Sequence, residues 1–204
     1  MTRPSQTVRT PPGLPSTGSP GAGTTTIGVA IAVPDPWGAQ LQDYRVSLGD
    51  NSAAGVPTHV TLLPPFSVAR SAVPAIEQHL LQASATHPGF RMHLRGTGTF
   101  RPVSPVVFVT VAEGISACEQ LASLVRRAPL PSAYPFPYHP HVTVAHHLAD
   151  EVLDRAFEEL SDFECSFRVD RFALYVHESG TGWVPTRHFF LAGDSDRSTE
   201  RRLG

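Results

Sequence analysis

The sequence predicts an α+β fold of two similar lobes, with largely antiparallel sheets and flanking helices around a central cleft. Two observations predict it. Short apolar runs of strand length alternate with stretches whose apolar residues recur at helical spacing. In addition, the segment Pro57-Thr58-His59-Val60-Thr61-Leu62 is echoed 82 residues downstream by Pro140-His141-Val142-Thr143-Val144. Each copy is followed by a helix-like stretch and then a strand-like one. Such a degenerate internal repeat implies two lobes facing one another across a pseudo-two-fold axis.

The elements follow in order. Residues 26–33 read as a strand, and 36–48 as a helix opened by Pro34, Asp35 and Pro36. Residues 57–63 form a strand stopped by Pro64 and Pro65. Residues 73–86 place Val73, Ile76, Leu80 and Leu81 at helical spacing, with Ser71 as a cap. Residues 90–100 and 106–111 are a strand pair joined around 101–105. Residues 116–127 are helical, with Cys118, Leu121, Leu124 and Val125 on one side. A strand over 141–145, a helix over 150–160 and strands over 166–176 and 187–191 complete the domain. Residues 1–25, rich in Pro, Gly, Ser and Thr, bury too little apolar surface to offset their ordering entropy and are expected to form a disordered arm. Residues 193–204 read as a polar tail, which leaves 26–192 as the folded two-lobed domain.

Composition narrows the function. The 204 residues are 41% apolar and 17% charged, with a formal charge of −2, as expected of a soluble globular protein. That balance excludes a protein that coats long double-stranded nucleic acid, which needs an excess of Lys and Arg over phosphate. A nucleotide or an RNA end needs only a few local charges and stays open as a substrate. The apolar run at 27–33 is too short to span a bilayer, and no continuous apolar core for a signal peptide follows Arg3 and Arg9. Cys118 and Cys165 have neither metal-like nor redox-like spacing, so a reduced compartment is the plainer reading. The expectation is a cytoplasmic monomer that does not engage a membrane.

The two His-x-Thr strands carry the chemistry. On a strand, residues two apart share a face, so His59 and Thr61 point one way while Val60 and Leu62 point into the packing face. His141 and Thr143 repeat this over Val142 and Val144. If the lobes are related by a pseudo-dyad, both pairs converge on one cleft. Two imidazoles flanking a phosphorus serve as acid and base, because their ordinary pKa lies near working pH. Two threonine hydroxyls hydrogen-bond the non-bridging oxygens, and a protonated imidazole stabilises the developing charge. Such a displacement requires no metal and no cofactor. Ten histidines produce some His-x-Ser/Thr triplets by chance, and His177-Glu178-Ser179, which runs into Gly180, is read as one of these. The fuller pattern, repeated in matching contexts, is not.

On these residues the chain resembles the 2H phosphoesterase superfamily, and within it the 2′-5′ RNA ligase and cyclic phosphodiesterase group. The stretches that carry the resemblance are GVPTHVTLLPPF, YHPHVTVAHHL and the intervening GTGTFRPVSPVVFVTV. The resemblance implies a bilobal fold with a central cleft and activity on 2′,3′-cyclic phosphates or 2′-5′ linkages. It also implies that His59 and His141 are catalytic and that Thr61 and Thr143 are the phosphate-binding hydroxyls. Members commonly carry an Arg soon after the second motif, as in HxTLAR, and here His146 stands in that place. That departure bears on the natural substrate more than on the chemistry. Ligation would be the reverse of 2′-5′ bond transesterification, run by the same pair with roles exchanged.

Other residues compete for a role beside these. His139, His141, His146 and His147 invite a metal reading, but no carboxylate follows at short fixed spacing, and adjacent His146 and His147 point to opposite sides. His139 is expected to line the cleft or cap the loop. Phe66, Tyr134, Phe136 and Tyr138 are the aromatic residues nearest the motifs and so the candidates for stacking a base. Arg95, Arg101, Arg126 and Arg127 are candidate substrate cations, the last two ending a helix. No Walker-type phosphate loop occurs. The competing reading is a catalytically idle module that binds nucleotides or RNA ends in the same cleft.

Overall fold

The structure, a computed structural model, describes residues 23–50, 53–131 and 136–193. The arm up to residue 22, the tail from 194 and Tyr134 lie outside the described residues. The elements are β1 (Thr24–Ala32), α1 (Trp37–Ser47), β2 (His59–Ala69), α2 (Val73–Thr86), β3 (Phe90–Thr99), β4 (Val106–Glu113) and α3 (Ile115–Val125). They continue with β5 (His141–His146), α4 (Asp150–Glu159), β6 (Glu164–Val169), β7 (Arg171–Glu178) and β8 (Gly182–Phe190). The strands are ordered β6-β3-β4-β5-β2-β1-β7-β8, with antiparallel pairing throughout, so the α+β architecture expected from sequence is the one observed.

The two lobes are halves of one sheet. β6-β3-β4-β5 and β2-β1-β7-β8 meet where β2 pairs with β5, and the single partner pair there is Val60 with Val142. The repeat is visible in β1-α1-β2 and β4-α3-β5, each a strand, a helix and a His-x-Thr strand that pairs back on the first. Val60, Leu62, Val142 and Val144 are fully buried in one core, against α2 residues Ile76 and Leu80 and α3 residues Cys118 and Leu121. His59, Thr61, His141 and Thr143 alternate with them and keep partial exposure, as a period of two requires.

Several boundaries depart from the sequence reading, each for a physical reason. β1 begins at Thr24, two residues inside the expected arm. β2 does not stop at Pro64 and Pro65 but continues to Ala69. The prolines lie in a bulge between the pairs Ile27–Phe66 and Val29–Leu63, where β2 has no β5 partner and a missing N–H leaves no ladder bond unmade. Ser71 caps nothing: α2 starts one residue after Ala72 with Pro74 in its first turn, where a proline suits the N-terminus without a side-chain cap. The strand expected over 166–176 is two strands, because Asp170 passes the chain from the edge of one half-sheet (β6) into the other (β7). β8 begins at Gly182, earlier than the 187 expected. Cys118 and Cys165 are buried free thiols. Among the described residues no helix is long and apolar enough to cross a membrane.

The two faces of β2 make different stability predictions. Leu62→Ala should cost about 2–5 kcal/mol in chemical denaturation, because it empties a fully buried site. Thr61→Ser, one residue away on the cleft face, should shift stability by no more than about 0.5 kcal/mol. Equal losses would contradict this assignment of faces.

Candidate active site

Both motif histidines are held the same way. His59 Nδ1 lies 2.6 Å from the Pro57 carbonyl oxygen, and His141 Nδ1 lies 2.7 Å from the carbonyl of His139, in each case two residues upstream. A carbonyl only accepts, so each ring donates from Nδ1, and each is left with Nε2 as the atom that exchanges a proton in the cleft. The antiparallel register through Val60 and Val142, carried one residue either way, sets His59 across from Thr143 and Thr61 across from His141. The four side chains predicted from sequence are thus brought together. The Thr61 and Thr143 hydroxyls make no hydrogen bond among the described residues, which leaves them for a ligand.

Electrostatics disfavour the charged form of both rings. Burial lowers the pKa of His59, opposed by the hydrogen bond to Pro57, and the Arg45 charge lowers it further. Burial likewise lowers His141, opposed by the His139 carbonyl and reinforced by the charges on His139 and His59. One imidazolium therefore disfavours the other.

Arg45, absent from the residues singled out by sequence, is 3% exposed on α1. Its guanidinium donates to the Val56 carbonyl at 2.6 Å and meets Asp50 at 3.5 Å. It thereby anchors the chain just before Pro57 and His59. His146, in the place of the family arginine, lies with Nδ1 3.5 Å from the same Asp50 carboxylate. Burial lowers the His146 pKa against the pull of Asp50. The signal for Arg45 was its spacing: Gly38, Leu41, Arg45 and Leu48 recur at intervals of three and four, and all are buried.

The aromatic candidates fare differently. Phe66 and Tyr138 pack against the core, with the Arg126 guanidinium over the Tyr138 ring, and Phe136 is 60% exposed. The rings that do flank the motif are others. Phe100 and Phe108 lie 5.0 and 5.1 Å from the His141 ring, while Tyr175 and Trp183 line a hollow beside His59. Tyr175 shares a face of β7 with Ala173, but nothing local to that strand shows that β7 and β8 extend the sheet beside β1. Of the candidate arginines, Arg101 pairs with Asp150 and Asp154, and Arg126 donates to the Leu62 carbonyl at 2.7 Å. His139 stacks on His141 at 6.1 Å. His146 and His147 sit edge to face at 5.3 Å. Among the described residues no three His, Cys, Asp or Glu side chains group so as to hold a metal ion.

Arg45→Leu should cost about 3–5 kcal/mol, because it removes the buried cation that balances the buried Asp50 carboxylate. Arg45→Leu/Asp50→Leu should regain most of that loss in denaturant unfolding. A single variant as stable as the wild type would show that the pair does not anchor the segment.

The family model described as the 2'-5' RNA ligase superfamily matches residues 33–181. A Bacillus cereus (strain AH820) protein provisionally named a phosphoesterase is 32% identical over 149 residues, covering 70% of this chain and 83% of its own. A similarly named Bacillus licheniformis protein is 27% identical over 158 residues, covering 74% and 92%. Among solved structures, E. coli LigT complexed with 3'-AMP aligns with a TM-score of 0.59 at 20% identity, covering 82% of this chain and 98% of that one. TT0787 of Thermus thermophilus aligns with a TM-score of 0.59 at 23% identity, covering 83% and 99%. The shared fold, the match across most of the domain and the curated relatives agree: the chain belongs to the 2'-5' RNA ligase superfamily of 2H phosphoesterases.

Proposed function

We propose that this protein is a metal-independent phosphoesterase that cleaves, or reversibly forms, 2′-linked phosphodiesters, such as the 2′,3′-cyclic phosphates of nucleotides or RNA ends. The observation that carries the reading is the matched anchoring of His59 and His141. Each ring is pinned by its Nδ1 to a carbonyl two residues upstream, so two equivalent Nε2 atoms serve one cleft. LigT structures described as complexes with 3'-AMP, ATP and NADP+ support a nucleotide-sized ligand.

In this reading the pair holds one proton. The neutral imidazole takes a proton from water as its oxygen attacks phosphorus. The imidazolium gives its proton to the ribose 3′ oxygen as the phosphorus–oxygen bond breaks, leaving a 2′-phosphate. Thr61 and Thr143 donate hydrogen bonds to the non-bridging oxygens as charge builds on them. In ligation the hydroxyl of a second nucleotide replaces the attacking water. It loses its proton to the neutral imidazole and forms the new phosphorus–oxygen bond as the protonated ribose 3′ oxygen leaves. Cleavage of that 2′-linked bond back to the cyclic phosphate exchanges the two roles.

The test is hydrolysis of the four nucleoside 2′,3′-cyclic monophosphates with EDTA present. Wild type should release 2′-phosphates, and His59→Ala and His141→Ala should each lose about 10²–10⁴-fold in rate. No turnover by wild type, or turnover untouched by either substitution, would leave the cleft as a catalytically idle nucleotide-binding module.

The pH profile provides a second test. Both imidazoles are held below the ordinary value near 6.5. The proton-donating partner is therefore lost as pH rises through the lowered pKa. A plot of kcat/KM, which reports the free enzyme, should peak below about pH 6.5 and fall toward neutrality. A rate still climbing above about pH 8 would contradict the assignment.

A further inference from the structure

The face that carries the motif side chains does not end at β2. Thr61, Ala30, Ala173 and His188 are successive cross-strand partners on β2, β1, β7 and β8, so all four share that face. His59 partners Ala32, and the register that pairs Ala30 with Ala173 sets Arg171 across from Ala32. Three alanines thus floor the sheet beyond the His-x-Thr strand, and Arg171 and His188 stand on their far side. Two strand spacings, roughly 10 Å, separate the backbones of His59 and Arg171.

A hollow of about 130 Å³ opens there, several times the roughly 30 Å³ share of one water. Ala32, Ala173, Arg171 and His188 line it, and Arg168 joins them from β6, across the chain crossing at Asp170. Among the described residues, Asp170 is the one carboxylate in its wall, 3.7 Å from the Arg171 guanidinium, with both side chains about half exposed. An ion pair so exposed contributes little and yields to a better anion. A phosphate is such an anion, because it accepts two parallel N–H bonds from one guanidinium. The Arg171 guanidinium also lies 5.7 Å from the Phe190 ring centroid, which holds the side chain over β8. With a formal charge of −2 on the whole chain, two guanidiniums in one wall are a local feature rather than general basicity.

We propose that this hollow is a second phosphate subsite, in which Arg171 and His188 hold the internal phosphodiester next to a terminal 2′,3′-cyclic phosphate. The substrate class it selects is an RNA end rather than a free mononucleotide. In such an end the internal phosphate is attached to the 5′ oxygen of the same ribose whose 2′ and 3′ oxygens carry the reacting phosphorus. The two phosphates are therefore one ribose apart, a span that the alanine floor and the reach of the Arg171 side chain match. The subsite rests on the reading of the cleft given above for where the terminal phosphate sits, but not on hydrolysis taking place there.

Calorimetry on the full chain separates the two substrate classes. The probes are adenylyl-3′,5′-adenosine bearing a terminal 2′-phosphate, and adenosine 2′-monophosphate, which has no internal phosphodiester. Wild type should bind the dinucleotide about 10- to 100-fold more tightly than the mononucleotide. Arg171→Ala should remove most of that gain and reduce the slope of log affinity against log salt for the dinucleotide by about 0.7. Arg171→Lys should keep the slope but recover only part of the affinity, because an ammonium has no bidentate fork. His188→Ala should weaken the dinucleotide by a smaller factor. Equal affinities for the two probes in wild type, or a dinucleotide gain untouched by Arg171→Ala, would overturn the subsite. The two proposals fail separately. A gain that Arg171→Ala removes, without cyclic-phosphate turnover, keeps the subsite and removes the hydrolase. Turnover of cyclic mononucleotides with no dinucleotide gain does the reverse.

Discussion

The pairing of Val60 with Val142 joins the two half-sheets, and the geometry of the cleft depends on its register. Because the side-chain period on a strand is two, this register sets both His-x-Thr pairs on the same side, each histidine opposite the other strand's threonine. A slip of one residue would bury the imidazoles and expose the valines. The fully buried Val60, Leu62, Val142 and Val144 oppose that slip with the whole core behind them. The four candidate side chains therefore stand on paired strands rather than on loops, and the carbonyls that fix the histidine tautomers belong to the segments leading into those strands.

The electrostatics follow from how closely the register brings these groups together. Burial disfavours the charged form of both imidazoles, and a charge on His59 disfavours one on His141. The Asp50 carboxylate faces both the Arg45 guanidinium on α1 and the His146 ring, and burial favours the neutral form of that ring. At the place where the family pattern carries an arginine, this chain has a weakly basic side chain, and a buried cation arrives from a different element.

The candidate site was legible in sequence to the extent that it is local. The repeated motif and strand alternation identify His59, Thr61, His141 and Thr143, and they sort the residues between them into the core. α2, with Val73 to Thr86 at helical spacing, was legible to the residue. What the sequence hid depends on which strand lies beside which. Pro64 and Pro65 read as a stop because a bulge against β1 cannot be seen from β2 alone. Phe66 and Tyr138 stood nearest the motifs along the chain, yet Tyr175 and Trp183 share a hollow with His59 because β7 extends the sheet from β1. For Arg45 the spacing on α1 signalled burial, but its partners, the Val56 carbonyl and Asp50, could not be read from the helix alone.

The half-sheets also differ in how the chain supplies them. β3, β4, β5 and β6 come from one continuous stretch, whereas β1 and β2 must wait for β7 and β8 from the far end. The Gly28–Tyr175 pairing spans most of the domain. Contacts so distant along the chain form slowly, because loop closure precedes any gain from them. During synthesis the half that carries His141 can pair its strands while β1 still exposes the edge that β7 will cover. The lobe that holds His59 is the last to be completed, by the same C-terminal hairpin that brings Tyr175 and Trp183 to its side.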